Sequence, residues 1–232
     1  MVNSNNEIAK FEKKNHLSFN DKDLFRQVFV HRSYLNENPG FNLDHNERLE
    51  FLGDAVLELV VTEYLYKNYP NPEGELTNWR SALVKGERLS QVATKLNIEK
   101  LLYLSRGEQK SSGKSRQLIL ANAFEALIGA IYLDKGYQKV QKYIYDNIII
   151  YLEEILDKKL FRDAKSTLQE ISQEKFSITP NYNVLEESGP DHNKHFIVGV
   201  FIGDKQVGRG NGYSKQTAEQ DAAKNSLETN NF

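Results

Sequence analysis

Glu47-Arg48-Leu49-Glu50-Phe51-Leu52-Gly53-Asp54-Ala55-Val56-Leu57 is the stretch that decides how this chain is read. As a helix it advances about 100° per residue, so with Glu47 at zero, Glu50 falls near about 300° and Asp54 near about 340°. The three carboxylates share one narrow face. Leu49, Leu52 and Val56 fall near about 200°, 140° and 180°, so the opposite face is core. Like charges crowded on one face repel unless something positive sits among them, and carboxylate oxygens suit a hard divalent cation such as Mg²⁺. A solvated acidic face on an ordinary amphipathic helix reads equally from these residues alone. Phe51 speaks against it: near about 40° it stands on the acidic side, where a large apolar ring calls for cover, for example by another chain.

A second segment, Leu120-Ala121-Asn122-Ala123-Phe124-Glu125-Ala126-Leu127-Ile128-Gly129, carries an amide and a carboxylate at i, i+3 among apolar residues. Two helices could pool their oxygen ligands.

Taken whole, the Glu47–Leu57 segment resembles the signature of the bacterial ribonuclease III family in order, spacing and apolar positions, and the resemblance runs over roughly residues 6 to 228. It implies an enzyme that hydrolyses double-stranded RNA with a divalent metal: Mg²⁺, with Mn²⁺ able to substitute. Carried over residue by residue, it makes Glu50, Asp54, Asn122 and Glu125 metal ligands. Asp54 and Glu125 become the catalytic pair, with Asp54 positioning the reactive water, and Glu47 a supporting acid. Glu73 resembles a further acid donated across a dimer. Asn122 departs from the family, which commonly has Asp there. An amide still offers a neutral oxygen, but one negative charge is gone and metal affinity should fall. Glu58 lies a turn beyond the signature and reads as solvated. The resemblance also implies a homodimer in which Phe51 enters a socket on the partner. Each of two active sites would cut one strand, leaving 5′-phosphate and 3′-hydroxyl ends with a short 3′ overhang. Processing of rRNA and mRNA is the family expectation.

The chain has 232 residues, 39% hydrophobic and 27% charged, with no cysteine. Disulfides, thiolate nucleophiles and cysteine-ligated zinc are excluded. No apolar run approaches the ~20 residues of a bilayer span, and the N-terminus lacks a basic stretch followed by an apolar one, so no membrane role and a cytoplasmic location are expected. The net charge of −2 argues against a broadly basic nucleic-acid binder, so any RNA site must be a local surface.

The patterning is mainly α. Residues 6–156 read as an all-helical endonuclease domain, 157–163 as a linker and 164–230 as a small α+β domain. Within the first, helices are expected over Ile8–Lys14, Asp21–Phe29, Asn46–Tyr66, Glu75–Leu96 with a break near Gly86, Gln117–Asp134 closed by Gly136, and Tyr137–Leu156. Asn46 is a candidate N-cap. Arg106 to Gln117 reads as a mobile loop whose Arg106, Lys110, Lys114 and Arg116 either guide phosphate or are simply solvated. Trp79 reads as packing.

In the second domain, a helix over Ser166–Phe176, strands over Tyr182–Glu187, Lys194–Ile202 and Gln206–Gly210, and a helix capped by Ser214 give the order αβββα. With Gly189-Pro190-Asp191-His192 and Gly210-Asn211-Gly212-Tyr213-Ser214-Lys215, this order resembles the double-stranded RNA-binding domain, a reader of A-form shape. The resemblance places Gln169 and Glu170 at one minor groove, His192 at the next, and Lys215 on the phosphates between them. Residues 163–228 hold seven Lys or Arg and ten Asp or Glu, a net of −3, so binding by this domain alone should be weak and salt-sensitive. A non-catalytic RNA-binding protein, supported by Asn122, and a helical scaffold without an RNA role are the competing readings.

Overall fold

Two helices that share the acidic residues also carry the first domain. In the computed structural model, which describes residues 4–159, 161, 164–190 and 194–229, the chain forms two compact units, Met1–Phe161 and Arg162–Phe232. Among the described residues the first unit is α1 (Ser4–Lys14), α2 (Lys22–Gln27), α3 (Arg32–Glu37), α4 (Glu47–Asn68), α5 (Glu73–Val84), α6 (Gly86–Leu96), α7 (Gly113–Lys135), α8 (Tyr137–Asn147) and α9 (Leu152–Asp157). Short 3-10 turns follow α6, precede α7 and join α8 to α9.

The core helix is α7. Nearly every residue from Ile119 to Ile131 is buried, apart from Asn122 and Glu125. It is also long and apolar enough for a bilayer crossing by length and composition, a test that buried core helices pass as well. Its partner α4 buries Leu49, Val56 and Val60 on the face its spacing predicts, and Leu57, Val61 and Leu65 further round as the helix runs on. An aromatic cluster of Phe11, Phe19, Phe25 and Phe29 ties α1 and α2 to the same core.

Several element ends differ from the sequence expectation, each for a local reason. Asp21 caps α2, accepting from the amides of Asp23 (3.0 Å) and Leu24 (2.9 Å), but the helix stops at Gln27. It ends short of the expected Phe29, and a separate helix, α3, begins at Arg32, its first turn capped by His31 Nδ1 accepting from Ser33 N at 3.3 Å. Asn46 makes no side-chain cap; its amide donates to Val28 O at 2.9 Å and so fastens the start of α4 to the chain before α3. The break between α5 and α6 falls at Lys85, which is extended (φ −63°, ψ 142°), and Gly86 opens α6. The polar 106–117 segment is not all loop. It holds a 3-10 turn, Glu108–Lys110, and α7 begins at Gly113, so Lys114 and Arg116 are helical. The expected helix 137–156 breaks at Ile148 (φ −121°, ψ −53°), inside three successive isoleucines whose branched side chains resist helical crowding. Trp79 packs edge-on against Tyr69 and Phe161, as expected.

The second unit is α10 (Ala164–Phe176), β1 (Asn181–Ser188), β2 (His195–Ile202), β3 (Lys205–Gly212) and α11 (Lys215–Thr229). The antiparallel sheet runs β1-β2-β3, with register shifts between Val184 and Glu186 and between Val200 and Phe201. Leu168, Phe196, Val198, Val200, Ala218, Ala222 and Ala223 form its core. Helix α11 lies so close to β3 that a Cβ on Gly210 would meet Ala222 N at 2.0 Å. Only a strand with glycines on its inner face admits it.

Candidate active site and RNA-binding surface

The acidic residues meet because two glycines let their helices cross at backbone distance. A Cβ placed on Gly53 of α4 would stand 1.8 Å from the Glu125 carbonyl oxygen of α7, and one on Gly129 of α7 would stand 2.3 Å from the Leu49 carbonyl oxygen of α4. Glycine inside a helix costs about 0.5–1 kcal/mol relative to alanine, and here it serves close packing. The sequence shows both glycines mid-helix, a signal that the acid spacing overshadowed.

At this crossing Glu125 is half-buried. Burial raises its carboxyl from the ordinary 4.5 to about 7, and the nearby charges of Asp54 and Glu50 push the same way. Glu50 is also held above its usual range, first by burial, then by Glu47 and Asp54, against a hydrogen bond from the Asn122 side chain that favours its charged form. Three carboxylates from two helices thus feel one another. Asp54 is exposed at the rim.

Glu47 is drawn elsewhere. Its carboxylate lies 3.6 Å from Arg32 and 3.7 Å from His45. Glu58, read as solvated, is instead paired by Arg80 Nε at 3.0 Å, while the same guanidinium donates to Thr62 Oγ1 at 3.0 Å. Glu73 stands at the start of α5, accepting from Thr77 Oγ1 at 2.9 Å. Phe51 is 81% exposed, and Leu59 and Tyr66 continue an exposed apolar stripe along α4.

The donor set is all oxygen, which suits a hard cation. Among the described residues no three Asp, Glu or His side chains converge tightly enough to enclose an ion by themselves. That fits an ion such as Mg²⁺, which is usually held by one or two carboxylates together with waters and substrate phosphate oxygens. Of the flanking cations, Arg116 is committed to Glu99 through Nε (3.1 Å) and a terminal nitrogen (2.8 Å).

In the second unit Gln169 and Glu170 are exposed on α10, and Lys215 is exposed on the first turn of α11, beside the Ser214 cap that accepts from Thr217 N at 3.1 Å. The Lys215 ammonium lies 5.9 Å from the Phe196 ring centre. His192 lies outside the described residues. Three other cations here are engaged with acids, Lys165 with Glu219, Lys194 with Glu187 and Arg209 with Glu186, each at 2.6 Å.

Acids pooled from two crossing helices, on a chain that ends in an αβββα unit, define a nuclease with its own RNA reader. The comparisons agree. Residues 21–152 match the family model described as Ribonuclease-III-like, and residues 164–230 match the double-stranded RNA binding motif. Similar curated proteins include Ribonuclease 3 of Streptococcus pneumoniae strain Taiwan19F-14, 44% identical over 218 residues spanning 93% of this chain and 94% of that one. The strain P1031 protein of the same name is 45% identical over the same shares. Two solved structures of the ribonuclease III nuclease domain from Campylobacter jejuni also align. A 2.2 Å crystal structure has TM-score 0.54 at 35% identity, covering 66% of this chain and 96% of that one. The other, described for structural flexibility in a region involved in dimer formation, has TM-score 0.53 at 38% identity, covering 60% and 97%. The chain belongs to the ribonuclease III family.

Proposed function

We propose that this endoribonuclease cleaves double-stranded RNA as a homodimer, one acidic centre per protomer, with Mg²⁺ as the ion and Mn²⁺ as a substitute. The observation that carries this reading is the crossing at Gly53 and Gly129, which brings Glu125 into a partly buried place beside Asp54 and Glu50, so that burial first and those charges second raise it to about 7.

When bound, a divalent cation lowers the pKa of a water and offsets charge on the phosphate. The chain's own residues do the rest. Glu125 gives up its proton to become an anionic ligand. Glu50 is oriented by the Asn122 amide, whose carbonyl oxygen remains available as a neutral donor. Asp54, exposed at the rim, accepts a hydrogen bond from the attacking water and aims it. Glu47, steadied by Arg32 and His45, supports the site from its edge. The water oxygen adds to phosphorus, the P–O3′ bond breaks, and the departing 3′ oxygen takes a proton, leaving 5′-phosphate and 3′-hydroxyl ends.

Gln169, Glu170, His192 and Lys215 are the proposed duplex contacts of residues 164–230, joined by a linker at 157–163 to the catalytic domain, residues 6–156. With most nearby lysines and arginines already paired, the catalytic half and dimerisation supply much of the affinity. The exposed Phe51 is the proposed partner contact, repeated by two-fold symmetry, and Glu73 a further acid at that interface. Processing of rRNA and mRNA in the cytoplasm, without a membrane role, completes the proposal.

Asn122 favours one second reading, a duplex binder without chemistry. Incubating the protein with a long end-labelled RNA duplex, with Mg²⁺ and with chelator, separates the two. Mg²⁺-dependent cutting supports the nuclease. Binding without cutting at any metal concentration supports the alternative.

A further inference from the structure

A second cleft lies away from the acids, where the end of α1 meets the end of α7 and the outer face of α8. Lys135 lies ten residues beyond Glu125, about 15 Å along α7 at a rise of about 1.5 Å per residue. The cleft measures about 590 Å³ and is lined by Lys14, Lys135, Lys139 and Lys142, with Asp146 as the acid among its lining residues. Lys135 is paired with Asp134 at 3.0 Å and Lys142 with Asp146 at 2.8 Å. Asp134 is itself occupied, accepting from the backbone amides of Asn20 and Asp21. Among the described residues no ion pair engages Lys14 or Lys139, and His16 adds an imidazole at the same wall. Leu17, Leu96 and Ile131 give the cleft an apolar side. Tyr143 also lines it, 93% buried by its 7% exposure, and its hydroxyl has no hydrogen-bond partner.

We propose that this cleft binds a nucleotide carrying two or more phosphates. Four lysines from three helices, α1, α7 and α8, line this one cleft, and the two without an acid partner among the described residues, Lys14 and Lys139, match a clustered polyanion, because Lys acts as a point-charge binder of phosphate. The apolar side matches the base or sugar. The volume falls within the range of about 300–1,000 Å³ usual for small-molecule sites, whereas duplex RNA is read along an extended surface.

The test uses the full chain in chelator, with ATP and inorganic tripolyphosphate as probes in titration calorimetry. ATP should bind more tightly than tripolyphosphate. The double variant Lys14→Glu/Lys139→Glu should weaken ATP at least about tenfold, and the milder Lys14→Gln/Lys139→Gln, also at exposed positions, should weaken it in the same direction with an unchanged circular dichroism spectrum. Lys110→Glu should leave ATP binding unchanged. Affinity for ATP that survives both lysine pairs overturns the site, and tripolyphosphate binding as tightly as ATP overturns the nucleotide assignment. Failure of ATP to bind while the lysine variants lose duplex RNA affinity would show instead an RNA-facing patch.

Discussion

Glu125 is where single-residue chemistry and stability meet. Its carboxyl titrates near about 7 in the folded chain against an ordinary 4.5. The folded state therefore holds an extra proton between those values. Without metal, the contribution of this group to stability is fully present below pH 4.5 and is lost as pH rises through about 7, because ionisation puts a charge in a buried place and beside Asp54 and Glu50. Urea unfolding in chelator should show this slope, and Glu125→Gln should flatten it and be the more stable protein at pH 8. An unchanged slope in that variant would place the perturbed group elsewhere. Asn122 makes the opposite trade. Asn122→Asp adds a charge beside Glu50 and removes the amide that donates to it. Calorimetric titration with Mn²⁺ should show tighter binding, with a lower melting temperature in chelator. Glu47, Glu50, Asp54 and Phe51 were legible from the sequence because helical spacing alone puts them on one side of α4. The Asn122–Glu50 hydrogen bond and the Arg80–Glu58 pair were not, because each joins residues from different helices, and spacing within one helix carries no information about the other.

At the scale of elements, the crossing of α4 and α7 is the feature on which the site depends. A methyl group at Gly53 has no room, since it would meet the Glu125 backbone at 1.8 Å. Gly53→Ala should force the helices apart and cost about 3 kcal/mol or more in urea unfolding, with loss of cleavage even where the protein still folds. A variant of wild-type stability and full activity would remove the crossing from the account. The long helices were readable from apolar residues that recur through α4 and α7 with no proline to interrupt them. The breaks at Lys85 and Ile148 were less so: they are fixed by how α6 and α9 turn back onto the core, and only Gly86 and the isoleucine run mark them locally. The start of α7 at Gly113 was hidden by a polar first turn, which looks like loop when its buried side begins only at Ile119.

For the whole molecule, a chain of net charge −2 must hold a polyanion, and among the described residues of its second unit Lys165, Lys194, Arg209 and Lys224 already face acids. Two-fold assembly offers the remedy, doubling every contact along one duplex. Phe51, 81% exposed on the acidic helix, is the residue that tests it. Phe51→Asp should sediment as a monomer and bind duplex RNA more weakly, while a stable dimer would remove the socket. The order αβββα was plain from the sequence, since strand alternation and the Ser214 cap are local signals, whereas the pairing of Lys165, Lys194 and Arg209 with acids needed the folded sheet. The measurement that bears most directly on the central claim is single-turnover cleavage of a long RNA duplex in Mg²⁺ by the wild-type chain and by Glu125→Gln, with duplex binding by both measured in chelator. The account predicts equal binding and at least about a hundredfold loss of cleavage in the variant. Equal cleavage by the two proteins would contradict it.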